Sequence, residues 1–127
     1  MISQEDKNLL IQEISSRLPY GVRVNATVVS EQYYDNMRGD FDILGIDIYF
    51  ARLMARQTAY IYIGIDDIKL YLRPLSSMTD EEQKEYDAIC FDYEHKNYNP
   101  VKCVQWLNEH HFDYNNLIEK GLAIEYE

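Results

Sequence analysis

Apolar residues recur every third or fourth position up to residue 18 of this 127-residue chain, every second position in several stretches between 22 and 73, and every third or fourth again from 79. The first period belongs to helix and the second to strand, so a fold has to pack helices from both ends against strands between them. At the front, Leu10, Ile11, Ile14 and Leu18 form one helical stripe behind Ser3, an N-cap residue with Asp6 three positions on. Pro19 turns Leu18 away from helical angles and Gly21 permits a turn, which predicts a helix over residues 1–18.

Val22, Val24, Ala26 and Val28 alternate with Arg23, Asn25 and Thr27, as in a half-buried strand. A turn-rich stretch from Asp35 to Asp40 leads into a second strand, Phe41 to Phe50. Its apolar parity shifts at Gly45, from Phe41 and Ile43 to Ile46, Ile48 and Phe50, which a bulge there explains. Ala59, Ile61 and Ile63 mark a third strand, and Ile68, Leu70 and Leu72 a fourth that Pro74 ends. Four short strands in succession over residues 22–73 predict an antiparallel meander or a small SH3-like barrel.

Helical signals return with Thr79 and Glu82, a capping box with Asp80 and Glu81 at the positive end of the helix dipole. This helix is expected to run to about Phe91, burying Tyr86, Ile89 and Cys90 while Glu81, Lys84 and Glu85 face water. Asn99 caps a second helix with Pro100 at its first position, and Val101, Val104, Leu107 and His111 follow one face. Asp113 is placed to cap a third, short helix through Leu117 and Ile118, with Gly121 just past its end. Leu122, Ile124 and Tyr126 alternate as a strand would. The expectation is a single α+β domain over residues 1–127: one helix, four strands, then two or three helices over 79–121.

A hydrophobic fraction of 46% with 13% aromatics is too high for a disordered chain. No apolar run approaches the ~18 residues of a membrane span. The opening MISQEDKNLL lacks the basic and apolar regions of a secretory signal. Cys90 and Cys103 are too few for a disulfide scaffold and fit a reducing cytoplasm, the expected location. Against 12 Lys+Arg stand 22 Asp+Glu, a net charge of −10 that opposes binding to phosphate backbones. The excess is uneven: residues 1–18 and 19–75 carry −1 each, and residues 76–127 carry −8. Such charge serves solubility as solvated helix faces, or it complements a basic partner, or it imitates a row of DNA phosphates.

Candidate chemistry is sparse. Cys103 and His110 share a helix face and, with His95, offer metal-ligand types, but close ligand pairs of the Cys-x2-Cys kind are missing. Adjacent His110 and His111 point about 100° apart on a helix. The plainer reading has Cys103 in the core and one of these histidines on the last carbonyls of its helix. No nucleophile elbow or glycine-rich phosphate loop occurs, and Asp66-Asp67 sits at a turn, so no catalytic residue, metal or cofactor is assigned. The twelve tyrosines stand out. Tyr60 and Tyr62 fall opposite Ile61 and Ile63, with Arg52, Arg56 and Arg73 near in sequence. Such a row pairs across strands, forms a protein interface, or stacks bases.

Three stretches carry a family likeness: Ser16-Arg17-Leu18-Pro19-Tyr20-Gly21-Val22, the run from Ile68 to Thr79, and Trp106-Leu107-Asn108-Glu109-His110-His111-Phe112-Asp113-Tyr114 with residues 117–123. In them the chain resembles small uncharacterised proteins of Bacteroides and related gut bacteria, often found in prophage or mobile-element settings. The resemblance implies a bacterial or phage origin and a place inside the cell, and it implies no activity. Together these features predict a small interaction module, an accessory factor of a mobile element that binds another protein and crosses no membrane. Tyr60, Tyr62, Tyr71, Arg73, Glu81 and Glu85 are its candidate contact residues. The alternatives are a DNA-mimicking or anti-restriction inhibitor built on the acidic C-terminal helices, a single-strand nucleic-acid binder built on the strand tyrosines, and a hydrolase or metal site around His110 and His111.

Overall fold

A computed structural model describes residues 2–28, 37–47, 52–56, 60–65, 68–92 and 96–126. Helix α1 (Gln4–Arg17) is capped by Ser3, whose hydroxyl accepts from the Asp6 N–H, and it passes into a 3-10 turn, Leu18–Tyr20. Gly21 follows at φ +91°, a left-handed angle open to glycine at little cost. Five strands come next: β1 (Arg23–Val28), β2 (Met37–Asp47), β3 (Arg52–Arg56), β4 (Tyr60–Gly64) and β5 (Ile68–Pro74). A 3-10 turn, Leu75–Ser77, leads to α2 (Asp80–Cys90), then the short hairpin β6 (Phe91–Asp92) and β7 (Asn97–Tyr98), then α3 (Pro100–Glu109). Two brief strands, β8 (Phe112–Asp113) and β9 (Ala123–Glu125), complete the order.

Strands β1 to β4 pair antiparallel, each with the next, and β5 pairs antiparallel with the free side of β1. The register of β2 on β3 shifts between Ile43 and Gly45, where the apolar parity of the sequence changes. β8 and β9 both pair parallel to β5. The Leu70 N–H donates to the Leu122 carbonyl and the Tyr126 N–H to the Leu72 carbonyl, whereas the Arg73 N–H donates to the His111 carbonyl. Backbone groups of successive strand residues turn to opposite sides, so β9 runs along one side of β5 and β8 along the other, which β1 shares. Among the described residues no pairing joins β4 to β5, β8 or β9, and the sheet is open rather than a closed barrel.

Helix α1 covers one face of this sheet. Its Leu10 and Ile14 are fully buried among Val24, Ala26, Phe41, Leu70 and Leu72, and burying side chains of this size stabilises by about 1.5–3 kcal/mol each. Trp106, Leu107 and Phe112 form a second cluster between α2, α3 and β8, with Tyr86 and Ile89 against it. The capping box of α2 is complete: Thr79 accepts from the Glu82 N–H, and Glu82 accepts from the Thr79 N–H. No helix of the described residues is long and apolar enough to cross a membrane.

Four details differ from the sequence reading. Strand β3 was not expected, because Leu53, Met54 and Ala55 between two arginines carry no β-branched residue to mark it. Met37–Asp40 belong to β2 rather than to a turn, paired with residues 25–28 of β1. The third helix is replaced by turns. Asp113 does accept from the Leu117 and Ile118 N–H groups, but Asn116 at φ +58° lies outside helical angles. Finally, Cys90 and Cys103 are joined as a disulfide, since the β6–β7 hairpin folds α3 back until their Cα atoms stand 4.9 Å apart, within disulfide reach.

Candidate functional site

The face of the sheet turned away from the α1 core follows from strand parity. On β5, Ile68, Leu70 and Leu72 point inward, leaving Lys69, Tyr71 and Arg73 outward. On β1, Val24 and Ala26 point inward and Arg23 and Asn25 outward; on β2, Phe41 and Ile43 are buried and Asp40 and Asp42 lie outward. Ile124 of β9 is level with Tyr71 in the register and shares its face, as does Tyr126.

Tyr126 is the centre of this surface. Its ring lies 5.7 Å from that of Tyr71 and 5.7 Å from that of His111. Three hollows meet at it. The largest, about 720 Å³, has Arg73, Ser77, Glu109, His110, His111 and Glu125 for its other walls. A second, about 520 Å³, lies over Arg23, Asp40, Tyr71 and Ile124. The third, about 250 Å³, is bounded by Tyr20, Arg23, Asp42 and His111. Tyr126 remains 37% exposed. Burial raises the pKa of its hydroxyl, with the Asp42 carboxylate adding to the effect and Arg23 and Arg17 opposing it.

Hydrogen bonds fix the walls. The Tyr71 hydroxyl donates to Asp40 at 2.6 Å, and the Asn25 amide donates to the same oxygen at 3.0 Å. These bonds lower the Asp40 pKa, the tyrosine's being the stronger, and the same bond raises that of Tyr71. Arg73 lies over the Phe112 ring, 4.2 Å from its centroid, and donates two bonds of 2.8 Å to Glu82. That bidentate pair holds the Glu82 carboxyl down to about 2, helped by the Thr79 N–H.

The corner carrying His111 is held from beneath. Arg17 and Glu13 of α1 are buried and paired at 2.9 Å, and Arg17 also donates to the Phe112 carbonyl at 2.7 Å. Glu13 accepts a further bond from Asn115, and the Arg17 guanidinium lies over the Tyr114 ring. Among the described residues Arg17 Nη1 has no hydrogen-bond partner. His111 itself sits at φ +64°. Burial first, then the positive charge of Arg17, lowers its pKa below the ordinary histidine value.

Of the candidate contact residues, the structure brings Tyr71 and Arg73 to this groove. Arg73 is committed to Glu82 rather than free. Glu81 is exposed on α2, and Glu85 accepts from the Trp106 indole N–H at 3.0 Å, so neither reaches the groove. Tyr60 and Tyr62 lie on β4, with their side chains outside the described residues. Glu109, His110 and His111 stand on one wall; His110 stacks on Trp106 at 4.0 Å, its Nδ1 2.9 Å from the Trp106 carbonyl. Cys103 is bonded to Cys90, and His95 and Asp66-Asp67 fall outside the described residues. No group of three or more His, Cys, Asp or Glu among the described residues is placed to hold a metal ion.

Tyr126, Tyr20 and Ile124 were not singled out as contact residues, although the alternation of Leu122, Ile124 and Tyr126 marked a strand. The expected face of α3 is corrected as well: Cys103, Trp106 and Leu107 are buried, while Val101 and Val104 are 64% and 40% exposed. Compared with protein-family models, curated proteins and solved structures, the chain matches none.

Proposed function

We propose that this chain is a protein-interaction module that receives an extended segment of another protein in the groove around Tyr126. The observation that carries this reading is the meeting of three hollows at one partly exposed tyrosine, on the outward side of β1, β5 and β9. Aromatic rings in such a setting give large contact area at low entropic cost and are enriched where proteins dock. The walls are rigid, since Tyr71, Arg73 and His111 are each held by named bonds, and a rigid groove loses little entropy on binding.

Two observations favour the groove over a phosphate-mimicking helix surface. Glu82 is held by Arg73 and Glu85 by Trp106, so α2 does not present an unbroken row of free carboxylates. A role as accessory factor of a phage or mobile element is supported by the resemblance of the three sequence stretches alone. The test is a selection of random 12-residue displayed peptides on the wild-type chain and on Tyr126→Ala. Peptides that need Tyr126 and shift the amide resonances of Tyr71, His111 and Ile124 are the expected result. Peptides held equally by both chains, or mapping elsewhere, refute the reading.

A further inference from the structure

Resting on the groove reading, we infer that His111 is a proton-operated gate in that groove. Neutral, its ring completes the partition between the first and third hollows; charged, it swings out into water and the bound segment is released. Among the described residues, His111 and Tyr126 alone line both of those hollows, and their rings meet edge to face at 5.7 Å between centroids. The pair is therefore the wall that keeps the two hollows apart. Its backbone at the corner is fixed. The His111 carbonyl accepts from the Arg73 N–H at 2.7 Å, and the next carbonyl, that of Phe112, accepts from Arg17 at 2.7 Å. What is free to move is the imidazole, which is half-buried and makes no hydrogen bond or ion pair with any described residue.

Protonation changes what that ring requires. A neutral imidazole has one N–H to satisfy and an imidazolium has two, besides a charge that burial penalises. No described group around the ring meets that demand. Arg17 faces the corner from α1 and Arg73 from β5, each already paired with a carboxylate, Glu13 and Glu82. At the end of α3, Glu109 and His110 share the first hollow, and His110 turns its Nδ1 to the Trp106 carbonyl. Tyr20, Arg23 and Asp42 stand across the third hollow, and Glu125 follows the first beside Tyr126 in sequence. Asp113, on the corner itself, is occupied by the Leu117 and Ile118 N–H groups. None of these carboxylates pairs with His111, while Arg17, His110 and Arg73 oppose a positive charge there. Burial and those cations are also what lower the His111 pKa. Water supplies both acceptors and screens the cations, so the charged ring is more stable outside the partition than in it. Tyr126 then loses the ring it rests against, and the two hollows run together.

The experiment follows the two rings by NMR from pH 7.5 to pH 5. Long-range proton–nitrogen spectra report the protonation of each histidine, and the signal absent from His111→Asn identifies His111. A cross-peak between the His111 and Tyr126 rings is expected at pH 7.5. It is expected to fade, with a shift of the Tyr126 ring resonances, along the curve on which His111 takes up its proton. His110→Gln is expected to keep that response and His111→Asn to lose it. A His111 still neutral at pH 5, a cross-peak that outlasts its protonation, or a Tyr126 shift retained in His111→Asn overturns the inference. Displayed peptides selected through Tyr126 at pH 7.5, and free of histidine and carboxylates, then read the consequence by fluorescence anisotropy. Their affinity for the wild type is expected to fall about tenfold by pH 5, within the usual range for two coupled sites, and to stay level for His111→Asn. A wild-type affinity that does not change with pH overturns the inference and leaves the groove reading standing. Recovery of no Tyr126-dependent peptide overturns the groove reading, and the ring cross-peak still decides whether the partition opens.

Discussion

Glu82→Gln isolates one charge in the joint between β5 and α2. The glutamine carbonyl still accepts from the Thr79 N–H, so the cap survives and only the ion pair with Arg73 is weakened. A carboxyl held down to about 2 from its ordinary 4.5 sets a ceiling near 3 kcal/mol. Solvent reaches 19% of the Glu82 side chain and 28% of Arg73, and screening at that exposure brings the working value to about 1 kcal/mol. The folded-state pKa is lowered, so the contribution is fully present above the unfolded value of 4.5. It is lost as pH falls through about 2. Urea unfolding of both proteins from pH 7 down to pH 2.5 measures this. The expected gap is about 1 kcal/mol at pH 7, equal to a midpoint difference of about 3–5 °C, constant to about pH 5 and closing below it. Adding Arg73→Met, which keeps an apolar stem over Phe112, completes a double-mutant cycle with a coupling of about 1 kcal/mol. No gap at pH 7, or a gap undiminished at pH 2.5, refutes the assignment.

Four further outcomes are expected. Reduction of the Cys90–Cys103 bond, which spans 13 residues, costs about 3 kcal/mol of unfolding free energy in the chain-entropy picture. Denaturation with and without reductant measures it, and a thiol titration finding two free groups in the untreated protein contradicts the pairing. Gly21→Ala costs about 1–2 kcal/mol from its φ of +91° alone, since nothing lies within 4 Å of the added methyl; a loss below 0.3 kcal/mol, roughly the noise of such measurements, counts against it. His111→Asn keeps a residue type at home in left-handed angles and removes a titrating group. Because the folded His111 pKa is lowered, the wild type loses stability as pH falls below 6.5, and the variant's urea midpoint is expected to be flatter between pH 7 and 5. Arg17→Ala strands the buried Glu13 carboxylate and is expected to cost about 3–5 kcal/mol, seen as a fall in the thermal midpoint.

The fold was legible where local chemistry and tertiary packing agree. Ser3, Thr79 and Asn99 each cap the helix their sequence context marks, the parity change at Gly45 is a register shift, and β5 alternates buried and partly buried residues from Ile68 to Arg73. Elements set by partners were not legible. Arg52–Arg56 becomes a strand because it lies between β2 and β4, and its own residues do not favour that state. Val101 and Val104 carry helical spacing, yet the helix turns on Cys103 and Trp106, whose partners Cys90 and Tyr86 come from α2. The site suffered most. Tyr71 and Arg73 stood out on a strand read correctly, but Tyr126 and His111 join them only through the parallel pairing of β9 and β8 with β5, which no periodicity encodes.

The corner at His111, Phe112 and Asp113 shows what that pairing serves. Arg17 holds the Phe112 carbonyl, the Arg73 backbone holds His111, the Arg73 guanidinium covers Phe112, and Asp113 takes two backbone N–H groups. Such a corner is costly: a non-glycine residue in the left-handed region costs about 1–2 kcal/mol, and a buried ion pair is often no better than apolar residues of equal volume. Stability alone therefore gives weak reason to keep Arg17 and Glu13. Their geometric effect is specific, because they fix the segment from which His111 projects against Tyr126. The paired change Arg17→Met/Glu13→Leu separates the two roles. It is expected to recover most of the stability that Arg17→Ala loses, while peptides recovered through Tyr126 bind it more weakly, since the corner has lost its directional bonds. Wild-type affinity in a folded Arg17→Met/Glu13→Leu protein would show instead that the ion pair is a matter of folding only.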